Sequence, residues 1–341
     1  MILFYSDYLE GCIPEIMENL AKTNYCQTPG YSKDTYCDQA KETIRRRCNA
    51  PDADVHFLVG GTQTNATVIA ATLRPHQGVL CASTGHIAVH ETGAIEHSAH
   101  KVLPLPSKDG KLASADVKSA LEAHFCQDSP EHEVQPAMVY ISYPTELGTL
   151  YSKQELTDIK AVCKQWNIPL FVDGARLGYG LVSEESDITI EDLASIADVF
   201  YIGGTKQGAL FGEAVVINDP AIKKDFRYYI KQNGGLLAKG RLLGIQFQTL
   251  FTDDLYYKYA QNAVKLAQKV AAALTEKGYR LLVQSPTNQI FPILPNEVAA
   301  RLGKDFGMDK WSVIDEGHTA YRICTSWATK AEDIDALISA L

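Results

Sequence analysis

Pro169-Leu-Phe-Val-Asp173-Gly-Ala-Arg176 and Asp198-Val-Phe-Tyr-Ile-Gly-Gly-Thr-Lys206 share one pattern: an apolar run that stops abruptly in small residues and then a charged side chain. Apolar runs without polar alternation mark strands buried on both faces. The same texture recurs along the chain at Val55–Val59, Val79–Ala82, Lys101–Leu103, Ala137–Ser142, Leu170–Val172, Val199–Ile202 and Ala214–Ile217. Helical patterns lie between these runs, at Gln63–Leu73, Ala113–Phe125, Lys153–Trp166 and Ile190–Ile196. Strands alternating with helices predict an α/β fold with a mostly parallel seven-stranded sheet covered by helices.

The texture changes near residue 245. A long helix is expected over Leu255–Lys277, stopped by Gly278. Strand-like runs follow at Tyr279–Val283 and Gln289–Leu294, then a short helix near Glu297–Leu302, a strand at Ala320–Cys324 and a last helix at Ala331–Leu341. We therefore expect a large domain over residues 1–245 and a small α+β domain over residues 246–341. The first 30 or so residues, with Pro14 and Pro29, read as an irregular N-terminal arm.

Composition narrows the function classes. The 341 residues are 46% hydrophobic and 21% charged, as in ordinary globular chains. With 32 Lys and Arg against 41 Asp and Glu, the formal net charge is −9, which argues against a nucleic-acid or anionic-membrane binder. No apolar run is long enough to span a membrane. The first residues lack the basic start of a signal peptide. Eight cysteines without a C-x-x-C pair read as free thiols, and the expectation is a cytoplasmic protein.

In an open α/β sheet, ligands bind beyond the carboxyl ends of the strands, where Asp173 and Lys206 are expected. Taken singly, Asp173 is as readily a turn cap or a partner of Arg176, and Lys206 a solvated loop residue. Together they suit one cofactor. A lysine amine forms a Schiff base with a carbonyl, and an acid pairs with a protonated pyridine nitrogen, as pyridoxal phosphate requires. Val59-Gly-Gly61-Thr62-Gln-Thr-Asn-Ala66 reads as a strand, a glycine turn and a helix start, a cradle for phosphate or an ordinary capped helix. Neither G-x-G-x-x-G nor G-x-x-x-x-G-K-[ST] occurs, which disfavours a nicotinamide oxidoreductase and a P-loop enzyme. His86 and His90 would share a helix face, but Ile87 stands where the zinc-protease pattern needs Glu, and no metal site is expected.

Ser6-Asp7, Gly61-Thr-Gln-Thr-Asn65, His86 with Glu91-Thr-Gly93, Asp173-Gly-Ala-Arg176 and Thr205-Lys206, in that order, resemble the low-specificity L-threonine aldolase family of pyridoxal phosphate enzymes. The resemblance runs from Ser6 through Arg322 and implies the fold-type-I, transferase-like architecture. It implies that Lys206 holds the cofactor, Asp173 pairs with the ring nitrogen, and His86 stacks on the ring. Gly61, Thr62 and Thr205 would serve the cofactor, and Ser6, Arg176 and Arg322 the substrate carboxylate. It further implies a homodimer or homotetramer with shared active sites. Tyr31, Asp34, Lys231, Lys239 and Arg241 are candidates to reach a neighbour's site, Lys231 or Lys239 at the phosphate and Tyr31 at the substrate.

One departure matters. Many members carry a second His that contacts the substrate hydroxyl, where this chain reads Pro144-Thr-Glu146-Leu-Gly148. Glu146 is then a candidate base, alongside His86. The expected reaction is retro-aldol cleavage of L-threonine or L-allo-threonine, β-hydroxy-α-amino acids, to glycine and an aldehyde. The alternative is another fold-type-I lyase that eliminates a β-substituent from a different amino acid.

Overall fold

The computed structural model describes residues 1–341. Its strands are β1 (Ile2–Leu3), β2 (Asp54–Leu58), β3 (Gln77–Ala82), β4 (Lys101–Leu105), β5 (Gln135–Ser142), β6 (Leu170–Asp173), β7 (Val199–Gly203), β8 (Glu213–Ile217), β9 (Arg280–Leu281), β10 (Gln289–Ile290), β11 (Pro292–Pro295), β12 (Phe306–Gly307), β13 (Asp309–Val313) and β14 (His318–Cys324). Seven of them form the large sheet, in the order β2-β8-β7-β6-β5-β3-β4. Only β8 runs against its neighbours, β2 and β7. All seven apolar runs of the sequence are strands of this sheet.

Apolar side chains project from both faces. On β7 and β8, Phe200, Ile202, Ala214 and Val216 join a core of 41 buried residues. Their alternates Val199, Tyr201, Val215 and Ile217 join a second core of 20 on the other face. The first lies under helices that include Thr35–Arg47 and Lys153–Gln165. The second lies under helix Gly61–Thr72 and helix Phe226–Gln232. Burial on both faces is why these strands carry no polar alternation.

A separate core of 14 residues is built from the helix Leu255–Glu276, the last helix and the small C-terminal sheet. The long helix stops at Lys277, and the next residue, Gly278, takes φ +83, a left-handed turn that glycine adopts without strain. The small sheet differs from its expected strands. The run at Tyr279–Val283 yields only Arg280–Leu281, and Gln289–Leu294 is split at Phe291 into β10 and β11. The first residues are not irregular either: a helix covers Pro14–Lys22, with Pro14 in its first turn. β1 pairs in parallel with β12, so the chain's first strand lies against its C-terminal part.

Candidate active site

Strand direction decides where the functional side chains meet. β2, β5, β6 and β7 point the same way, so their carboxyl ends share one edge of the sheet. Register aligns them: Ser142 sits opposite Asp173, and Gly203 and Leu58 both sit opposite Glu213. A cavity of ≈ 300 Å³ opens at this edge. Asp173, Arg176, Thr205 and Lys206 line it from β6 and β7. Gly61 and Thr62 line it from the turn after β2, and His86 and Glu146 from the loops after β3 and β5. The largest cavity, ≈ 660 Å³, is lined by other residues, among them Gln135, Pro169 and Asp198 at the amino ends of strands.

The glycines of the two quoted stretches have a local cause. Gly203 N–H donates to the Gly174 carbonyl at 2.9 Å, backbone against backbone. A Cβ on Gly174 would stand 1.9 Å from the Tyr201 carbonyl oxygen, and one on Gly203 2.4 Å from that of Ala175. Only glycine lets the ends of β6 and β7 close this tightly, and that closure brings Asp173 and Lys206 together.

Asp173 is 3% exposed and fully engaged. Its Oδ1 accepts from the Tyr201 hydroxyl and, at 3.0 Å, from Ala175 N–H. Its Oδ2 accepts from the Tyr140 hydroxyl at 2.5 Å and from Asn65 Nδ2 at 3.1 Å. Arg176 does not pair with it. The guanidinium instead grips Asp7, Nε to Oδ2 at 2.7 Å and Nη2 to Oδ1 at 3.0 Å. Burial alone would raise the Asp7 carboxyl, but Arg176 and Lys206 hold it below the usual carboxylate range. Burial and the Arg176 charge hold the Lys206 amine below the usual lysine range, against the pull of Asp7, Asp173 and Glu213. The amine stands over the Tyr8 ring at 6.0 Å.

A second set of bonds joins the two remaining candidates. His86 Nδ1 meets Glu91 Oε1 at 2.7 Å, and that oxygen also accepts from Asn65 Nδ2 at 2.7 Å. With Glu91 ionised, Nδ1 carries the hydrogen and Nε2 is the basic nitrogen. Glu146 Oε1 accepts from His86 N–H at 2.9 Å and from Ser142 Oγ at 2.5 Å. Burial pushes the Glu146 carboxyl above the usual range, the Asp173 charge adds to this, and the Ser142 bond opposes it. A weakened acid held this way accepts a proton near neutral pH more readily than an ordinary carboxylate.

The other candidates stand elsewhere. Arg322 Nη2 binds the Tyr5 carbonyl at 3.0 Å and Asp309 at 2.9 Å, and its guanidinium lies 5.6 Å over the Trp311 ring. Ser6, buried, follows Tyr5 directly. Tyr31 and Lys231 share a surface hollow outside the cavity, with the Lys231 amine 4.9 Å over the Tyr31 ring. Lys239 is exposed. Asp34 caps the helix Thr35–Arg47 through Cys37 N–H, and Arg241 holds the carbonyls of Thr23, Asn24 and Cys26. Asn65 and Glu213 are site residues that the sequence reading did not single out. Asn65 lay inside a quoted motif, one helical turn past Gly61, while Glu213 carries no local signal at all.

The donor set fits pyridoxal phosphate. An amine and a saturated buried carboxylate face one cavity. Helix Gly61–Thr72 begins at the cavity with no side-chain cap on its first N–H groups, and a Cβ at Gly60 would meet nothing within 4 Å.

A sequence profile of the beta-eliminating lyase family matches residues 4–296. The low specificity L-threonine aldolase of Pseudomonas aeruginosa is 30% identical, over 98% of this chain and 95% of its own. A solved threonine aldolase from Leishmania major superposes with a TM-score of 0.97 at 44% identity, covering 99% of this chain and 98% of that one. An aspartate aminotransferase of Thermus thermophilus shares the fold, with a TM-score of 0.74 at 14% identity over 100% of this chain and 90% of its own.

Proposed function

The chain belongs to the beta-eliminating lyase family, with the low-specificity L-threonine aldolases as its relatives, and from that premise we propose how its residues cleave threonine. The protein is a pyridoxal phosphate-dependent lyase that converts L-threonine and L-allo-threonine to glycine and acetaldehyde. The cofactor, when bound, supplies a carbonyl for amines to join and a protonated ring that takes up the electrons of the breaking Cα–Cβ bond.

The residue roles are as follows. Lys206 would hold the cofactor through its amine, which burial and Arg176 keep from holding a proton as tightly as an ordinary lysine. Asp173 would pair with the ring nitrogen and hold a proton there; its four hydrogen-bond donors leave the carboxylate no freedom to turn away. His86, whose imidazole Glu91 orients, would face the ring. The first turn of helix Gly61–Thr72, with Thr62 and Thr205, would take the phosphate. Arg176 spends Nε and one Nη2 hydrogen on Asp7, so its Nη1 edge would remain for the substrate carboxylate, while Ser6 and Arg322 do not line the cavity and take no part in this reading.

Glu146 takes the proton from the substrate hydroxyl. The observation that carries this reading is its fixed Oε1, held by His86 N–H and Ser142, in a cavity shared with Lys206 and Asp173. The test is aldehyde release from each threonine isomer, read by a coupled dehydrogenase with glycine confirmed. Both isomers should release acetaldehyde, and Glu146→Gln should change their ratio. No aldehyde from either isomer, with the cofactor trapped on Lys206 by borohydride, would move the protein to β-elimination on another amino acid.

We read the protein as a cytoplasmic homodimer or homotetramer whose sites a neighbour completes. Eight free cysteines suit a reducing compartment, and the Tyr31–Lys231 hollow is an exposed place from which to reach a second chain. No helix is long and apolar enough to cross a membrane. Light scattering behind a sizing column gives the assembly directly.

A further inference from the structure

One carboxyl group at the cavity has no part in the steps above. Glu213 is 3% exposed and lines the cavity. Topology puts it there: β8 runs against its neighbours, so its first residue, not its last, lies at the carboxyl edge. Its Oε2 accepts from Gly204 N–H at 3.1 Å and its Oε1 from Thr205 Oγ1 at 2.9 Å. Thr205 Oγ1 in turn accepts from Gly212 N–H at 3.0 Å. The two residues before Lys206 therefore hang on Glu213.

The two carboxyl oxygens accept from both donors at once, whereas a glutamine could accept from Gly204 N–H but would meet Thr205 Oγ1 only as a donor. The carboxyl also brings, at the desolvation cost of a buried group, a charge that comes and goes in the cavity it shares with the Lys206 amine. Burial pushes Glu213 up to about 8, the Asp173 charge adds to this, and Thr205, Lys206 and Gly204 N–H oppose it. The charged groups acting on Lys206 are Arg176, Asp7, Asp173 and Glu213. Those acting on Glu213 include Lys206 and Asp173, with the Tyr201 and Tyr256 phenols nearby.

Resting on the assignment of Lys206 as the residue that holds the cofactor, we propose that Glu213 is a positioning residue: it fixes the Gly204-Thr205-Lys206 turn, and its charge keeps the proton on the Lys206 nitrogen. Glu213 touches neither substrate nor cofactor in this role and acts through Lys206. The charge exists only where Glu213 is ionised, so its hold on the proton strengthens as pH rises through the range in which that carboxyl titrates.

The test is a pH titration of the holoenzyme's visible absorption, which reports the proton on the nitrogen joining Lys206 to the cofactor. Glu213→Gln removes the charge and keeps the side chain's shape: its carbonyl accepts from Gly204 N–H, and its amide donates to Thr205 Oγ1, whose own hydrogen must turn to another acceptor. The midpoint should fall by about one pH unit or more in Glu213→Gln and stay close to the unsubstituted value in Glu213→Asp. Equal midpoints in Glu213→Gln and the unsubstituted enzyme would overturn the proposal. Should Glu213→Gln fail to fold, pH-difference infrared spectra of the unsubstituted and Glu213→Asp holoenzymes decide the matter. A carboxyl band must change with the visible band and move in the Asp variant; a visible shift with no such carboxyl signal overturns the proposal. Borohydride reduction and peptide mapping separate the two failures. A cofactor trapped on another lysine brings down the Lys206 assignment and this proposal with it, whereas a cofactor on Lys206 with an unmoved midpoint brings down this proposal alone.

Discussion

Lys206 and Asp173 differ in what their surroundings do to them, and that difference makes their loss distinguishable. Lys206→Ala removes the only amine in the cavity lining, so turnover should vanish and borohydride should trap no cofactor on the protein. Asp173→Ala leaves attachment possible but takes away the charge proposed to face the ring and strands the Tyr140, Tyr201 and Asn65 donors. It should lower kcat by about 100-fold or more while borohydride still traps the cofactor. Glu146 carries a pH signature. It must be ionised to accept a proton, and burial raises the pH at which that happens. The acidic limb of kcat/KM should therefore lie above the ordinary carboxylate range and disappear in Glu146→Gln; a limb unchanged in that variant would pass the role to His86. These side chains were legible in the sequence because each ends an apolar run or sits in a short motif. Asn65 sat in such a motif, but the bonds by which its Nδ2 joins Glu91 to Asp173 were not legible, and Glu213 carried no signal at all. Their partners are up to 108 residues away for Asn65, and Glu213 reaches the edge only because one strand reverses.

Strands buried on both faces announce themselves, which is why the seven runs of the large sheet could be read directly. The elements that escaped did so for identifiable reasons. Pro14 and Pro29 read as breakers, yet Pro14 occupies the first turn of helix Pro14–Lys22, where the missing N–H costs nothing. β13 mixes Asp309, Lys310 and Ser312 with apolar residues and pairs with β14 alone, so it shows neither a buried run nor a clean alternation. The same logic makes a strand end testable. Gly174→Ala places a methyl 1.9 Å from the Tyr201 carbonyl, a backbone atom that cannot swing aside. The ends of β6 and β7 must part, with a loss of about 1–3 kcal/mol in stability. Because those ends carry Asp173 and Lys206, kcat should fall more steeply than stability. A variant with lowered Tm and undiminished kcat would show that the close approach serves packing only.

The site is closed by parts of the chain far apart in sequence, and Asp7 is where they meet. It follows β1, which pairs with β12 in the C-terminal part; it grips Arg176 just beyond β6; and it accepts from Asn288 Nδ2 at 2.9 Å, one residue before β10. Three regions that fold around two different cores are thus tied through one buried carboxylate. Asp7→Asn should cost about 3–5 kcal/mol, because it leaves the Arg176 charge buried without a counter-charge. The pH dependence follows from the direction of the shift. The Asp7 carboxyl is held below its ordinary range when folded, so its contribution is fully present above the unfolded value. It is lost as pH falls through the folded value, below about pH 4. At fixed cofactor saturation, Tm should drop more steeply between pH 5 and pH 3 in the unsubstituted protein than in Asp7→Asn, so that the two curves converge at acid pH. Parallel curves, or a loss at pH 7 under about 1 kcal/mol, would reduce the Asp7–Arg176 pair to an ordinary surface contact. Since the Arg176 edge left free by Asp7 is the one assigned to the substrate carboxylate, the same variant should also raise KM for threonine: a guanidinium released from Asp7 no longer presents that edge to the cavity.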